Sequence, residues 1–234
     1  MTYANIPITV EELRRLKPGT WLSDELINVY MRLLRDRPGK AALPRCLFMT
    51  SHFYSKLAQQ QGKPFCYRDV ARWLPSNGFD DYDLVLIPVH QQCHWTLAVI
   101  NVQQKRFEYY DPLFGFAKSI LQNLRRLTLM HMRKSATQHA VEQWNEVAWS
   151  LGQGVPAQVL HSLCTPTIPA HFAVPLLTRC VPVLQRNGWD CGVFLLCTAD
   201  HLSRGACLSF TQADMPELRL QIALEISRQR LEPF

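Results

Sequence analysis

The 234-residue chain has eight cysteines, at 46, 66, 93, 164, 180, 191, 197 and 207, and no C-x-x-C pair among them. The strongest zinc signature is therefore missing, and no metal is expected. Cys46 with His52, or Cys93 with His94, would meet at a metal only by accident of folding. No uninterrupted apolar stretch approaches the roughly 18 residues of a membrane span, so no membrane partner is expected. The start, MTYANIPITVEELRRL, lacks the basic opening and the apolar run of a secretory signal. Without such a signal the cysteines read as reduced, mostly small core hydrophobes, and the expected location is intracellular, in the nucleus, the cytoplasm or both. Internal repeats and low-complexity tracts are absent. The net charge of +6 is not concentrated either: Arg14-Arg15, Arg125-Arg126, Arg133-Lys134 and Arg228 to Arg230 lie scattered on what read as solvated helix faces. No aromatic-interleaved basic stripe accompanies them, so no specific nucleic-acid partner is expected.

What is present is an ordinary globular composition, 47% hydrophobic and 19% charged. A chain of this length buries a sizeable core without disulfides or metal, and residues 1–234 read as one α+β domain. Thr9 with Glu12 resembles a capping box ahead of Val10, Leu13 and Leu16. Ser23 reads as the N-cap of a second helix, with Asp24 and Glu25 in its first turn and Leu26, Ile27, Tyr30, Leu33 and Leu34 on one face. A third helix is predicted over 51–62 and a shorter one over 68–74. Strands are predicted over 84–87, 94–102 and 106–110, the last two joined as a hairpin by Gln103-Gln104-Lys105. Helical spacing returns at Ile120, Leu121, Leu124 and Leu127, and again at Val141, Trp144, Val147, Ala148 and Leu151. Gly152 to Pro175 is broken by proline and glycine and reads as an irregular loop. Val181 to Leu184 reads as an edge strand. Gly192 to Leu202 predicts a helix buried on all sides, and 216–228 an amphipathic one carrying Leu218, Ile222 and Ile226.

The run PVLQRNGWDCGVFLLCTADHL holds a cysteine at the start of that buried helix. A free thiol is only a few per cent thiolate at neutral pH, and the thiolate is the nucleophile. A helix N-terminus and a nearby imidazole both raise that fraction. Cys191 has the first, and His94 is the candidate for the second. In an antiparallel hairpin His94 opens one strand and Asp111 closes its neighbour, so the two ends meet, with a register open by about two positions. Asp111 would then orient the imidazole, and backbone N–H groups near Cys191 with the Gln185 amide would stabilise an oxyanion. Each residue also has a plain reading: Cys191 as a buried structural thiol, His94 as a strand-end histidine, Asp111 as a turn start and Gln185 as an exposed amide.

The stretches GTWLSDELINVYMRLL, HWTLAVINVQQKRFEYYDPL, QRNGWDCGVFLLCTADHL and MPELRLQIALEI resemble the SUMO-specific (sentrin) cysteine proteases, in that family's order and nearly end to end. The resemblance implies a papain-like α+β fold with a central mixed or antiparallel sheet flanked by helices. It implies Cys191 as nucleophile, His94 as base, Asp111 as orienter and Gln185 as oxyanion donor. It further implies that Trp21 and Trp95 clamp an extended Gly-Gly tail, and that Asp24 contacts a basic residue of the modifier. The segment 152–178 looks inserted relative to the family, and no long regulatory region is expected ahead of the domain. The expected activity is cleavage after the C-terminal Gly-Gly of a SUMO-like modifier, in precursors or lysine conjugates, by a monomer that needs no cofactor. The alternatives are a protease for ubiquitin or another ubiquitin-like modifier, an acetyl-coenzyme A-dependent acyltransferase on the same Cys-His core, and an inactive modifier-binding domain.

Overall fold

The structure, a computed structural model, describes residues 1–39, 42–58, 65–113, 115, 117–132, 140–149 and 185–232. A small hairpin of β1 (Thr2–Tyr3) and β2 (Ile6–Pro7) precedes helices α1 (Val10–Arg14) and α2 (Asp24–Arg35). Then come β3 (Cys46–Phe48), α3 (His52–Leu57), β4 (Leu84–Gln91), β5 (His94–Asn101) and β6 (Arg106–Tyr110). The remaining elements are α4 (Lys118–His131), β7 (Asn145–Trp149), α5 (Cys191–Ser203) and α6 (Met215–Arg228).

Strands β3-β4-β5-β6-β7 form one mixed sheet in that order, with the β3–β4 and β6–β7 pairs parallel and the inner pairs antiparallel. The period-2 pleat divides the apolar strand residues between two cores. Leu84, Leu86, Leu97 and Val99 join a cluster with α2, α5 and α6, while Val85, Ile87, Val89, Ala98 and Ile100 join another with α3 and α4. Because α5 lies between the sheet and the other helices, every residue from Cys191 to Ala199 is buried. That explains its nearly uniform apolar sequence. Among the described residues, no helix is long and apolar enough to cross a membrane.

Several predicted elements form as read. Thr9 caps α1 by accepting from the Glu12 N–H at 3.1 Å, and Ser23 caps α2 by accepting from Leu26 N–H at 3.4 Å. The reciprocal half of the first capping box is absent, because the Glu12 carboxylate instead accepts from the Ser23 hydroxyl. The two helix starts are thereby tied together. The strand at 84 continues to Gln91, and β5 and β6 pair as the predicted hairpin.

Others differ. Of the helix predicted over 51–62, the described part is His52–Leu57 with Ala58 as its cap, and residues 59–64 lie outside the described residues. The one over 68–74 is two single 3₁₀ turns, Tyr67–Asp69 and Ala71–Trp73. The helix predicted through Val141, Trp144, Val147 and Ala148 is a 3₁₀ turn followed by strand β7, paired in parallel with β6. The physical reason is tertiary: the Arg125 guanidinium on α4 ties the turn down by donating to the carbonyls of Val141, Glu142 and Trp144 at 2.7–2.9 Å, and residues 145–149 pair with β6 instead of continuing a helix. Strand β3 escaped prediction because three residues carry too little pattern to separate it from a loop. The segment 152–178 and the edge strand predicted over 181–184 lie outside the described residues.

Candidate active site

Strands β4 and β5 are joined by a two-residue turn, Gln92-Cys93, with φ of 49° and 62° at the two positions. Positive φ at both is the twist that a tight hairpin requires, here adopted without glycine. This turn presents His94 as the first residue of β5. Leu97 faces Tyr110 across the β5–β6 pair, so Asp111, one step further, stands level with Thr96, two residues from His94. Residues two apart share a face, and the imidazole reaches diagonally to the carboxylate: His94 Nε2 to Asp111 Oδ1 is 2.6 Å. The register left open by the sequence is thus offset by two.

Asp111 is buried and also accepts backbone N–H groups from Leu113 (2.8 Å) and Gly115 (2.7 Å). Burial pushes its pKa up, but the bond from His94 and these two amides outweigh burial and hold the carboxyl below its ordinary value. Gly115 leaves room for this carboxylate, since a Cβ there would lie 2.5 Å from Asp111 Oδ2 and force it to shift. Burial of His94 pulls its pKa down. The Asp111 bond, then the influence of the nearby Cys191 thiol, override it and raise the value from 6.5 to about 9. With Nε2 engaged by Asp111, Nδ1 is the nitrogen left for Cys191.

Cys191 is 2% exposed and is the first residue of α5. The first intrahelical bond runs from Phe194 N–H to Asp190 O at 3.0 Å, so the N–H groups of residues 191–193 have no partner within the helix. They and the helix dipole favour negative charge at this point. Gly192 lets α5 approach α2's entry closely: a Cβ there would sit 3.0 Å from Leu22 Cβ.

Gln185 is buried, and its backbone N–H donates to Pro112 O at 3.0 Å, which places it beside Asp111. Its Nε2 donates to Asn187 O, and its buried Oε1 has no hydrogen-bond partner. Asn187 in turn shapes the loop. Its Oδ1 accepts from the Trp189 and Asp190 N–H groups, both at 3.1 Å, and its Nδ2 donates to Asp190 Oδ2 at 2.6 Å.

The two predicted clamp tryptophans sit differently. Trp21 is 53% exposed and its indole N–H donates to Gly188 O, in the loop leading to Cys191. Trp95 is 2% exposed, stacks on His90 at 4.2 Å, and donates to Leu22 O at 3.0 Å. Asp24, at the start of α2, is half-buried beside a polar depression that Ser51, His52, Ser55 and His90 also line. Four supporting residues were not read from the sequence: Gly115, Asn187, Asp190 and Arg219. Asn187 and Gly115 act within their own turns, on Trp189 and Asp190 and on Asp111, whereas Asp190 and Arg219 meet across 29 positions. The glycine after Asp-Pro-Leu and the run Asn-Gly-Trp-Asp were the only local signals. Among the described residues, no group of three or more His, Cys, Asp and Glu is arranged to hold a metal.

A family model described as the Ulp1 protease family, C-terminal catalytic domain, matches residues 20–233. Among curated relatives, ubiquitin-like-specific protease 1A of Arabidopsis thaliana is 35% identical over 98% of this chain and 41% of its own length. Sentrin-specific protease 2 of Homo sapiens is 30% identical over 96% of this chain and 33% of its own. The chain therefore spans less than half the length of either relative. Among solved structures, the C-terminal Ulp1 protease domain in complex with Smt3, the yeast ortholog of SUMO, superposes with a TM-score of 0.70 at 22% identity, covering 97% of this chain and 85% of that one. The Ulp1-like SUMO protease catalytic domain of Chaetomium thermophilum gives 0.61 at 24% identity, covering 93% and 76%. These likenesses show that the chain shares the α+β fold of the Ulp1 catalytic domain, with helices around a mixed sheet.

Proposed function

The chain belongs to the Ulp1 protease family, and from that premise we propose that it is a cysteine protease cleaving after the C-terminal Gly-Gly of a SUMO-like modifier. The observation that carries this reading is the 2.6 Å His94–Asp111 bond beside a cysteine at a helix N-terminus. The curated relatives named for ubiquitin-like and sentrin substrates support the choice of modifier.

In the reaction, the Cys191 thiolate attacks the carbonyl carbon of the terminal glycine while imidazolium His94 balances its charge. The unpaired N–H groups at the start of α5 receive the developing oxyanion. Gln185 adds to them: beyond its bond to Asn187 O, its amide nitrogen has only a 3.5 Å contact to Asn187 Oδ1. His94 then protonates the departing amine, which is a lysine side chain in a conjugate or a peptide nitrogen in a precursor. Water hydrolyses the thioester with His94 as base. Asp111 keeps the imidazole oriented throughout.

Trp95, fixed by His90 and Leu22, is the immobile wall of the proposed tail channel, and exposed Trp21 is its outer cover. Two flat rings enclose a chain without Cβ atoms and exclude bulkier residues. Asp24 is the proposed contact for a basic residue of the modifier. We read residues 1–234 as one catalytic domain, because both cores share a single sheet. An intracellular site of action, nuclear or cytoplasmic, accords with the free thiols of Cys46, Cys66, Cys93, Cys191, Cys197 and Cys207.

The test is reaction with C-terminal vinyl-sulfone or propargyl probes of SUMO, ubiquitin and their relatives, with Cys191→Ala as control. A covalent adduct with the SUMO probe, lost in Cys191→Ala, is the expected result. No adduct with any probe would overturn the protease reading, and an adduct with ubiquitin alone would overturn the choice of modifier.

A further inference from the structure

Arg219 of α6 is 1% exposed and lies outside the chemistry described above. A guanidinium has five N–H donors in a fixed planar fork, and here each meets an acceptor. Nε donates to Asp190 Oδ1 at 2.8 Å. One terminal nitrogen donates to Arg15 O (3.2 Å) and Lys17 O (3.1 Å), the other to Thr20 O (2.8 Å) and Trp189 O (3.1 Å). The Asp190 carboxylate is equally saturated, since Oδ2 accepts from Asn187 Nδ2 at 2.6 Å and from Gln212 Nε2 at 2.8 Å.

Two pieces of chain meet at this fork. Thr20 immediately precedes Trp21, and Trp189 and Asp190 immediately precede Cys191. The segments are far apart in sequence and share one further direct bond, from the Trp21 indole to Gly188 O. Every acceptor except the Asp190 carboxylate is a backbone carbonyl, so the fork fixes main-chain position rather than a neighbouring side chain. A lysine at 219 would keep the charge but could not address five acceptors in one plane.

We propose that Arg219 is a positioning residue, clamped to Asp190, that fixes the Trp21 segment and the Cys191 loop in one register. The inference rests on the reading of Cys191 as nucleophile and Trp21 as channel cover. Loss of the fork lets the loop carrying Cys191 move relative to both Trp21 and His94, while the sheet that carries His94 and Asp111 stays in place.

The experiment compares wild type with Arg219→Lys, with Gln212→Glu, which removes the donor to Asp190 at a half-exposed site but keeps an acceptor for the Arg186 N–H, and with Ile120→Val, which perturbs the opposite core. All are assayed well below their melting temperatures, with near-UV circular dichroism giving the folded fraction. Two readouts follow: kcat and KM on a SUMO C-terminal fluorogenic substrate, and the rate of Cys191 alkylation by iodoacetamide across pH. Folded Arg219→Lys should lose about 10²-fold in kcat/KM, the scale of a small misplacement of reacting groups. Its alkylation rate at neutral pH should fall as well, while Ile120→Val matches wild type in both. Gln212→Glu should fall between them, and decides the matter if Arg219→Lys does not fold. Wild-type kcat/KM and alkylation in the folded variants would overturn the proposal. If wild type itself turns over no modifier substrate, the protease reading fails, and the alkylation series still tests the clamp.

Discussion

At the residue scale, the site depends on keeping one imidazole charged in a partly buried place. His94 has its pKa raised to about 9 and Asp111 has its own lowered, so the charged pair persists across the neutral range. For His94 the folded value lies above the unfolded one of about 6.5. The stability this histidine contributes is therefore fully present below about 6.5 and is lost as pH rises through about 9. For Asp111 the sign is opposite: its contribution is present above its unfolded value and is lost as pH falls through the lower folded one. Activity that needs imidazolium should accordingly show a basic limb in kcat/KM near pH 9, since that profile reports groups of the free enzyme. Asp111→Asn should move the limb down toward about 6.5 and lower the plateau by about 10⁴-fold, as when an orienting carboxylate is lost elsewhere. A profile unchanged by Asp111→Asn would remove Asp111 from the mechanism. These residues were legible because a short hairpin loop brings His94 and Asp111 together whatever the detailed register. Gly115 was not, because its importance lies in the room it leaves for a carboxylate four residues back, which a Cβ would approach to 2.5 Å. Arg219 reads in sequence as one more arginine on an amphipathic helix. Only the fold reveals that its side of α6 faces carbonyls.

At the scale of elements, long patterns were readable and short ones were not. Helix α2 announces itself by its Ser23 cap, acidic first turn and apolar face, and α5 by an apolar run with no polar side. The spacing at 141–148 fits a helix equally well, yet the chain there forms a turn and an edge strand. A side chain from elsewhere decides the outcome, and no local pattern contains it. Arg125 also donates to Glu146 Oε1 at 2.8 Å, so it holds both the turn and the first half of β7. Arg125→Ala should destabilise the protein by about 1.5–3 kcal/mol, the range for lost bonds to charged donors. Urea denaturation measures the total, and hydrogen exchange should show the β7 amides losing protection first. The alkylation rate of Cys191 should not change, because Arg125 holds the Asn145–Glu146 end of β7, which pairs with Arg106 and Phe107 at the end of β6 away from Asp111. Uniform loss of protection over the whole sheet would show that Arg125 supports more than this edge.

At the scale of the whole molecule, the proposed nucleophile and base belong to different layers. His94 and Asp111 sit on the sheet, whereas Cys191 starts a helix packed over it, so their alignment is a property of the core between those layers. The layer directly beneath Cys191 is the cluster shared by Leu97, Val99, Val193, Leu196 and Leu26, while the cluster with α3 and α4 packs the opposite face of the sheet. The division was foreseeable for β4, whose unbroken Leu84-Val85-Leu86-Ile87 run suits a strand covered on both sides. The parallel partners β3 and β7 were not foreseeable, because each pairs with a strand distant in sequence. Leu196 and Leu124 are both fully buried, one in each cluster. Substituting either by alanine should cost about 2–5 kcal/mol, through lost burial and the cavity left behind. The consequences for the site should nevertheless differ. A cavity under α5 lets the helix that begins at Cys191 settle, separating the thiol from His94, so Leu196→Ala should slow Cys191 alkylation at neutral pH and lower kcat. Leu124→Ala, with equal loss by denaturant titration, should leave both rates at wild-type values in the folded fraction. Equal loss of reactivity in the two variants would mean that alignment follows global stability rather than the layer beneath the nucleophile.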